Sequence, residues 1–543
     1  MSQKETPPGG STRFRWLYPW GLLAVILAGA VAARAYNLDR FSFWVDELYH
    51  VVAAQSVVET GEPILPSYRG GEYTRAYPVT YLTARMFDIF GSSEAAGRAP
   101  FLVLNLIFLS VAFFVTRRWF NVHLALIVTF VLAFSPHELR MGREVRMYGL
   151  LQLLYFSASA LFFAGFELAG AHGKAAPARS SIPSPRRLIL LGSAAVLFLL
   201  AYRIQPLAMN FGIALAAYCV VMLPWDAHRR GWRAAVRSRY ALVLALMTAA
   251  GVVVLLAAPG FITKLITMAR HRPEWATTGD GFSYYSWFFT YYYTGLTAVY
   301  VLGIALLIRR FGKPGVFVLC SLVPVMATHV WLFTGRVEMR YIFYILPFFF
   351  IGACFALERG LRRLLRMVAD EWREGSKLLA TCLVAGIVSA ASLFSWSWLR
   401  ESRDLLRWGY GPNWKTVAPT LQRLGDECVV MSPWPFHVAY YSGEFPDYIL
   451  RKKQAEDGEE GVVRLGERSI PVRWLFDPDE FVSVVNGERD VCVVMTDWAF
   501  HNDAYLDPPL REAITNRLAP VEHGGDAKVR IYRKRSDDGS SPR

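Results

Sequence analysis

Phe41-Ser42-Phe43-Trp44-Val45-Asp46-Glu47-Leu48-Tyr49-His50 follows closely on the first long apolar run of the chain, Trp16 to Ala33. Two adjacent carboxylates stand there, where a membrane helix should leave the bilayer. Acids at that boundary are costly unless water or a partner reaches them. The aromatic approach of Phe41, Phe43 and Trp44 reads as an interfacial belt around them. Asp46 and Glu47 are therefore candidates for the floor of an active site that opens on the non-cytoplasmic face. The plainer alternative is that they cap a helix starting near Val45, because acids favour the first helical turn.

The composition bears on the choice. Of 543 residues, 54% are hydrophobic and only 19% charged, which is too apolar for an ordinary soluble enzyme. The expected fold class is an α-helical polytopic membrane protein. The formal net charge of +14 is then explained by basic cytoplasmic loops rather than by nucleic acid, for which no motif is present. Cys219, Cys320, Cys354 and Cys382 fall in apolar runs and read as core residues. No CxxC or Cys/His cluster points to zinc. Cys428 and Cys492 each border an apolar, strand-like run, and a disulfide between them outside the cytoplasm stays open.

The polar stretch Met1 to Arg15 reads as a disordered cytoplasmic N-terminus. Trp16–Ala33 is too long for a signal-peptide core and is taken as an uncleaved anchor. Ten further spans are expected at about Ala99–Thr116, Val122–Phe134, Met147–Phe166, Leu188–Tyr202, Ile204–Leu223, Tyr240–Ala258, Tyr291–Ile308, Val316–Phe333, Tyr341–Leu357 and Leu378–Trp398. That makes about eleven. The outer loop Leu38–Gly97 carries two stretches that read as helices lying on the membrane, Glu47–Val58 and Val79–Phe90. The expected organisation is a membrane catalytic domain over 16–398, including the loop 38–97, and a soluble α/β domain over 399–543. In the latter, Cys428–Met431 and Val491–Met495 read as buried strands, Pro435–Ser442 as a helix and Lys528–Tyr532 as an edge strand.

Basic residues set the orientation. With the N-terminus inside, every inside loop is basic, for example Arg117 and Arg118, or Arg229, Arg230, Arg233, Arg237 and Arg239. The Asp46 loop and the C-terminal domain then lie outside. Several arginines nonetheless sit on the outer side: Arg75, the Arg143/Arg146 pair three residues apart, Arg336 and Arg340. On a helix Arg143 and Arg146 would share a face. Arginine is the preferred two-pronged partner of phosphate, although each could instead snorkel or pair with Glu138, Glu144 or Glu338. Lys264, Arg270, His271 and Arg272 are also outside and precede the aromatic band Tyr284–Tyr293, which reads as a belt or as a sugar platform.

The Asp46-Glu47 pair after the first span resembles the opening of the GT-C glycosyltransferases. So do Phe90-Gly91-x-x-Glu94-x-x-x-Arg98, the run Arg143, Arg146, Met147, Tyr148, and the Arg340-Tyr341 opening of a late span. The bacterial branch similar to protein O-mannosyltransferases and lipid A aminoarabinose transferases is the nearest in pattern. Where many of those relatives carry a Lys-Pro-Pro-like element, this chain has Thr74-Arg75-Ala76-Tyr77-Pro78. The resemblance implies an enzyme of the bacterial inner membrane. It would take sugar from a polyprenyl-phosphate donor, a lipid-linked co-substrate, and pass it to an acceptor hydroxyl of a glycan, glycolipid or protein, with inversion. Asp46 is then the base and Glu47 either orients the acceptor or is structural. Arg143, Arg146, Arg340 and Arg75 become candidates for the donor phosphate. Tyr77, His137, Tyr148, Arg336 and Tyr341 become candidates for further substrate contacts. With arginine neutralising a monophosphate no metal or other cofactor is required, and a divalent cation on the acids stays an open alternative. A transporter or flippase of lipid-linked sugars is the competing reading, but it calls for repeats and broken mid-membrane helices that the sequence does not display. A non-catalytic assembly protein would leave the Asp46, Arg143 and Arg340 pattern unexplained.

Overall fold

The computed structural model describes residues 11–65, 71–168, 184–258, 280–333, 337–369, 400–405, 411–450, 460–465, 468–487, 489–503, 505–521 and 525–534, with 260, 263 and 267. They form two compact units. One comprises Met1–Ala35, Leu102–Gly142 and Met147–Arg403, and the other Tyr36–Phe101, Arg143–Arg146 and Asp404–Arg543, each within its described residues.

In chain order the first helices are α1 (Ser11–Ala35), α2 (Val45–Thr60), α3 (Tyr77–Phe90), α4 (Glu94–Trp119), α5 (Val122–Phe134), α6 (Pro136–Met141) and α7 (Met147–Phe163). Helices Pro185–Ile204, Asn210–Arg230, Arg239–Ala257, Gly281–Tyr292, Thr294–Phe311, Lys313–Trp331 and Leu346–Ala369 follow. Among the described residues eight helices are long and apolar enough to cross a membrane, and Pro19–Ala35 and Val122–Phe134 are shorter apolar ones. A chain in lipid must satisfy its backbone internally, so long apolar runs become helices. The chain is an α-helical polytopic membrane protein with a C-terminal α/β region. The expected span Leu378–Trp398 lies outside the described residues, as do Lys264, Arg270, His271 and Arg272. Several boundaries differ from expectation, and the span expected over Tyr341–Leu357 is the helix Leu346–Ala369. Ser11–Arg15 is already helical, as the start of α1. The aromatic band is a separate helix, Gly281–Tyr292, started by Asp280, whose carboxylate accepts from the Ser283 amide at 2.7 Å. The next span begins only at Thr294.

In this first unit, Gly303 and Gly352 let the Thr294–Phe311 and Leu346–Ala369 helices touch. A Cβ on Gly303 would collide with the Gly352 backbone, and one on Gly352 would lie 2.6 Å from the Tyr300 ring. Small residues at such crossings are the usual means of close approach in membranes. Several buried polar groups are paired across helices. Arg34 donates to Asn105 at 2.7 Å and to the Ala133 carbonyl at 2.7 Å. Gln152 donates to Glu138 at 2.7 Å and to the Phe343 carbonyl at 3.1 Å, which ties α6 to α7. Glu167 gathers Arg239 at 2.5 Å and Lys313 at 2.7 Å.

The second unit is built on a seven-stranded sheet of order β3-β4-β2-β1-β5-β7-β6. The strands are β1 (Val429–Ser432), β2 (Tyr448–Leu450), β3 (Glu460–Leu465), β4 (Arg468–Leu475), β5 (Val491–Thr496), β6 (Leu518–Pro520) and β7 (Val529–Lys534). β4, β2, β1 and β5 run parallel, and β3, β7 and β6 pair antiparallel at the flanks. The continuous apolar runs of β1 and β5 suit parallel strands covered on both faces. Successive side chains enter opposite cores. Val430, Cys492 and Val494 join Trp414, Trp434 and Ile531, whereas Met431, Val491, Val493 and Met495 join Phe481 and Leu510. A Cys428–Cys492 disulfide joins the start of β1 to β5. The stretch expected as an edge strand is β7, and it is internal. It pairs with β5 on one side, while β6 on its other side forms the edge.

The outer loop was expected with the spans, but it packs with the C-terminal sheet. The Tyr441 hydroxyl donates to Glu94 at 2.9 Å and accepts from the Phe43 amide at 2.8 Å. Lys415 reaches Glu94 at 2.9 Å, and Ser42 donates to the Pro412 carbonyl at 2.8 Å. The polar backbone of a loop needs such partners once it is covered, and residues about 370 positions later supply them. Val45 also packs on the core around Trp414 and Trp434.

Candidate functional site

α2 starts where the sequence suggests, at Val45, with Trp44 as its N-cap residue. Glu47 reaches back to accept from the Trp44 amide at 2.8 Å, the acid half of a capping box. The same carboxylate accepts from Arg98 twice, at 3.1 Å and 2.8 Å, and from the Val145 amide at 2.9 Å. Glu47 is 1% exposed and its acceptor positions are taken. Its neighbour differs. A helix turns about 100° per residue, so Asp46 leaves α2 in another direction. There its Oδ2 lies 2.5 Å from Nη1 of Arg146, with 28% of the side chain still exposed. Of two adjacent acids, one is sealed into the scaffold and one stays part-exposed with a cation beside it.

Arg143 and Arg146 do not share a helical face. They bracket a bend between α6 and α7, in which the Arg146 amide donates to the Glu144 carbonyl at 2.8 Å. The bend replaces a helix because Glu47 draws the Val145 amide away from any helical partner. Arg143 is buried. Its Nη2 donates to the Tyr36 carbonyl at 2.8 Å, and its Nη1 has no hydrogen-bond partner among the described residues. Burial, then repulsion from Arg98, pushes its guanidinium down to about 10, with Glu47 pulling the other way.

His50 lies one turn beyond Asp46 and is buried. Its Nδ1 meets the Thr80 hydroxyl of α3 at 3.1 Å, and its Nε2 meets the Tyr73 hydroxyl at 3.4 Å. Burial first, then Arg75 and Arg146, hold this imidazole well below its usual range, with Asp46 opposing. Arg75, Arg146 and Asp46 thus all act on one buried ring, which brings exposed Arg75 into the same locality. The sequence reading missed His50. Its spacing of four from Asp46 on a predicted helix was the available signal.

The other candidates are placed as follows. Tyr77 is exposed and donates to Glu72. In the first unit, Arg340 pairs with Glu338 through Nε and Nη2, at 2.5 Å and 2.6 Å, and lies over the Tyr341 ring. That is the pairing alternative raised for it above. His137 is buried among Phe288, Tyr292 and Tyr293 and shares a hydrogen bond of 2.9 Å with the Tyr293 hydroxyl. Tyr148 is 1% exposed and lies edge-on to Tyr341. Arg336 lies outside the described residues. Among the described residues no group of three or more His, Cys, Asp or Glu side chains could hold a metal ion.

No protein-family model and no curated protein matches the sequence. Solved structures do. ArnT from Cupriavidus metallidurans bound to undecaprenyl phosphate aligns with a TM-score of 0.59 at 15% identity, over 98% of this chain and 100% of that one. The archaeal oligosaccharyltransferase AglB from Archaeoglobus fulgidus, in complex with an inhibitory peptide and a dolichol-phosphate, aligns with a TM-score of 0.60 at 12% identity, over 97% and 75%. ArnT, a lipid A aminoarabinose transferase, and AglB are both GT-C proteins. This chain has the GT-C fold. Its GT-C-like element Phe90 to Arg98 supplies two buried residues of the site's frame. Arg98 holds Glu47 and the Leu38, Phe41 and Ser42 carbonyls, and Glu94 holds Lys415 and Tyr441.

Proposed function

We propose that the protein is a membrane glycosyltransferase that moves a sugar from a polyprenyl-phosphate donor to an acceptor hydroxyl, with inversion. Asp46, part-exposed beside Arg146 while Glu47 is sealed, is the observation that carries this reading. The GT-C fold supports it, as do the lipid phosphates bound in the ArnT and AglB structures. Asp46 takes the proton of the acceptor hydroxyl as that oxygen attacks the sugar C1. The C1–O bond to the phosphate breaks on the opposite side, and the lipid phosphate leaves with the bonding pair. General-base help of this kind is worth roughly 10²–10⁴ in rate. Arg146 orients the carboxylate, and Glu47 and Arg98 hold its helix in place. Arg75 and Arg143 are the proposed partners of the donor phosphate. The buried Arg143 Nη1 is a donor that an anion would satisfy. Charge on the leaving phosphate grows as the bond breaks, so fixed cations there act on the transition state.

The proposed setting is a bacterial inner membrane, with Asp46 and the C-terminal sheet outside. The basic inside loops and the Cys428–Cys492 disulfide support that side, since disulfides persist in oxidising compartments. The test is incubation of purified protein with labelled polyprenyl-phosphate sugars and a membrane fraction. Label should move to an acceptor, and Asp46→Asn should lower the rate by about 10² or more while the protein still inserts. Wild-type turnover by Asp46→Asn, or inertness of wild-type protein with every donor, would overturn the reading.

A further inference from the structure

The second unit's sheet reverses its order at one place. From β1 the chain moves outward through β2 and β4, then returns through Pro478–Val485 to lay β5 on the other side of β1. In open α/β sheets, ligands bind outside the carboxyl ends of the strands at such a reversal. The residues that follow β1 and β5 there are Pro433-Trp434-Pro435 and Asp497-Trp498.

Two tryptophans pack against each other at that strand end. The Trp434 amide donates to Ser432 Oγ at 3.0 Å, and its indole N–H donates to Thr496 Oγ1 at 3.1 Å, so the last residue of β5 fixes a ring that follows β1. Trp498 lies nearly parallel to Trp434, with centroids 6.2 Å apart and planes at 29°. The Tyr505 ring supports both, 5.2 Å from Trp434 and 4.8 Å from Trp498. Trp434 is buried in this stack, yet Trp498 is 51% exposed. Trp498 thus rests on two other rings while half of it stays open to water. Polar groups lie at the same end of the sheet, on the Phe500 side. Asp497 pairs with Arg530 and lies 3.6 Å from His501, and all three side chains are more than a third exposed.

We infer that this strand end is a saccharide-binding site, in which Trp498 carries a pyranose ring of the acceptor. A pyranose has an apolar C–H face with partial positive charge, which suits the negative face of an indole. Its edge is lined with hydroxyls that both donate and accept and that keep their water partners while the face is covered. A nucleotide fits less well, because neither Ser432-Pro433-Trp434-Pro435 nor Thr496-Asp497-Trp498-Ala499 has the glycine-rich turn that lets backbone amides cradle phosphates. The helix after Trp434, Pro435–Ser442, packs on α2 through Phe436 and Tyr49, 5.3 Å apart, so the strand end and Asp46 belong to one packed unit. The inference deepens the glycosyltransferase reading by naming a carbohydrate-bearing acceptor, and only the word acceptor rests on that reading.

The test uses full-length protein in a detergent without a sugar headgroup. Saturation-transfer NMR is run with methyl glycosides of glucose, galactose, mannose and N-acetylglucosamine and with their 1,4-linked disaccharides. At least one should receive transfer on the C–H protons of one ring face. Trp498→Ala should weaken it at least about tenfold, Trp498→Phe less, and Asp46→Asn not at all. In turnover assays Trp498→Ala should raise the acceptor KM and leave donor hydrolysis unchanged. Transfer to no glycoside, or equal binding by Trp498→Ala, would overturn the inference even if the enzyme is active. Saccharide binding by a protein inert with every donor would instead overturn the glycosyltransferase reading and leave the site standing.

Discussion

At the scale of single residues, the Asp46-Glu47 pair divides its labour by burial. Glu47 accepts from Trp44, Arg98 and Val145 inside the fold. Glu47→Gln keeps the shape but leaves Arg98 as a buried, uncompensated charge, an error that costs about 3–5 kcal/mol. The expected outcome is a clear fall in apparent unfolding temperature, larger than that of Asp46→Asn, with turnover lost through instability. A Glu47→Gln protein as stable as wild type would show that this carboxylate does not hold the frame. Two buried imidazoles of the same unit set a pH dependence. His50 lies well below its usual range and His437 at about 3, burial being the first cause for both. Unfolded histidines take up protons near pH 6.5 while these folded ones stay neutral, so stability is complete above that pH and declines below it. Between about pH 7.5 and 5.5 each should cost about 1.4 kcal/mol. The fall in unfolding temperature over that range should shrink in His50→Gln and again in the double variant with His437→Gln. An unchanged fall would refute the assignment.

At the scale of elements, the bend Arg143–Arg146 matters more than either arginine alone. Its Val145 amide is bound by a carboxylate 98 residues earlier. Val145→Pro deletes that donor and should cost about 1–3 kcal/mol, with turnover falling as Arg146 loses its place beside Asp46. Val145→Ala, which keeps the amide, should be mild. Equal effects from the two would show that the hydrogen bond is not what forms the bend. The disulfide acts on β1 and β5, its ends 64 positions apart. Constraining a loop of that length stabilises by about 4 kcal/mol on the chain-entropy model. Reductant, or Cys428→Ser with Cys492→Ser, should therefore lower the unfolding temperature of the protein. No shift with reductant would mean that the bond is absent in solution.

At the scale of the whole molecule, the basic inside loops predict that the Asp46 loop and the C-terminal region lie outside. A tag at Ser536 should be labelled by a membrane-impermeant reagent in intact cells, and labelling only after lysis would invert the topology. The frame around Asp46 comes from three distant parts of the chain: the outer loop, the four-residue bend and the C-terminal sheet. A truncation at about residue 399 is therefore expected to remove more than an accessory domain. It removes Lys415 and Tyr441, the partners of Glu94, and activity should be lost with it.

By itself the sequence determined most of the long apolar helices and the three strands β1, β5 and β7, because apolar length and periodicity are local properties. Val122–Phe134 and Pro435–Ser442 are found at their expected bounds. It also singled out Asp46 and the helix that starts beside it, since an acid pair after an apolar run is a local anomaly. Only the tertiary structure decided which acid is exposed, that Arg143 and Arg146 flank a bend, and that the outer loop packs with the C-terminal sheet. Each of those outcomes rests on hydrogen bonds between residues about 50 to 400 positions apart. Such bonds leave no periodic trace, and Glu47 and Asp46 are equally acidic letters until Arg98, Val145 and Arg146 are brought to them.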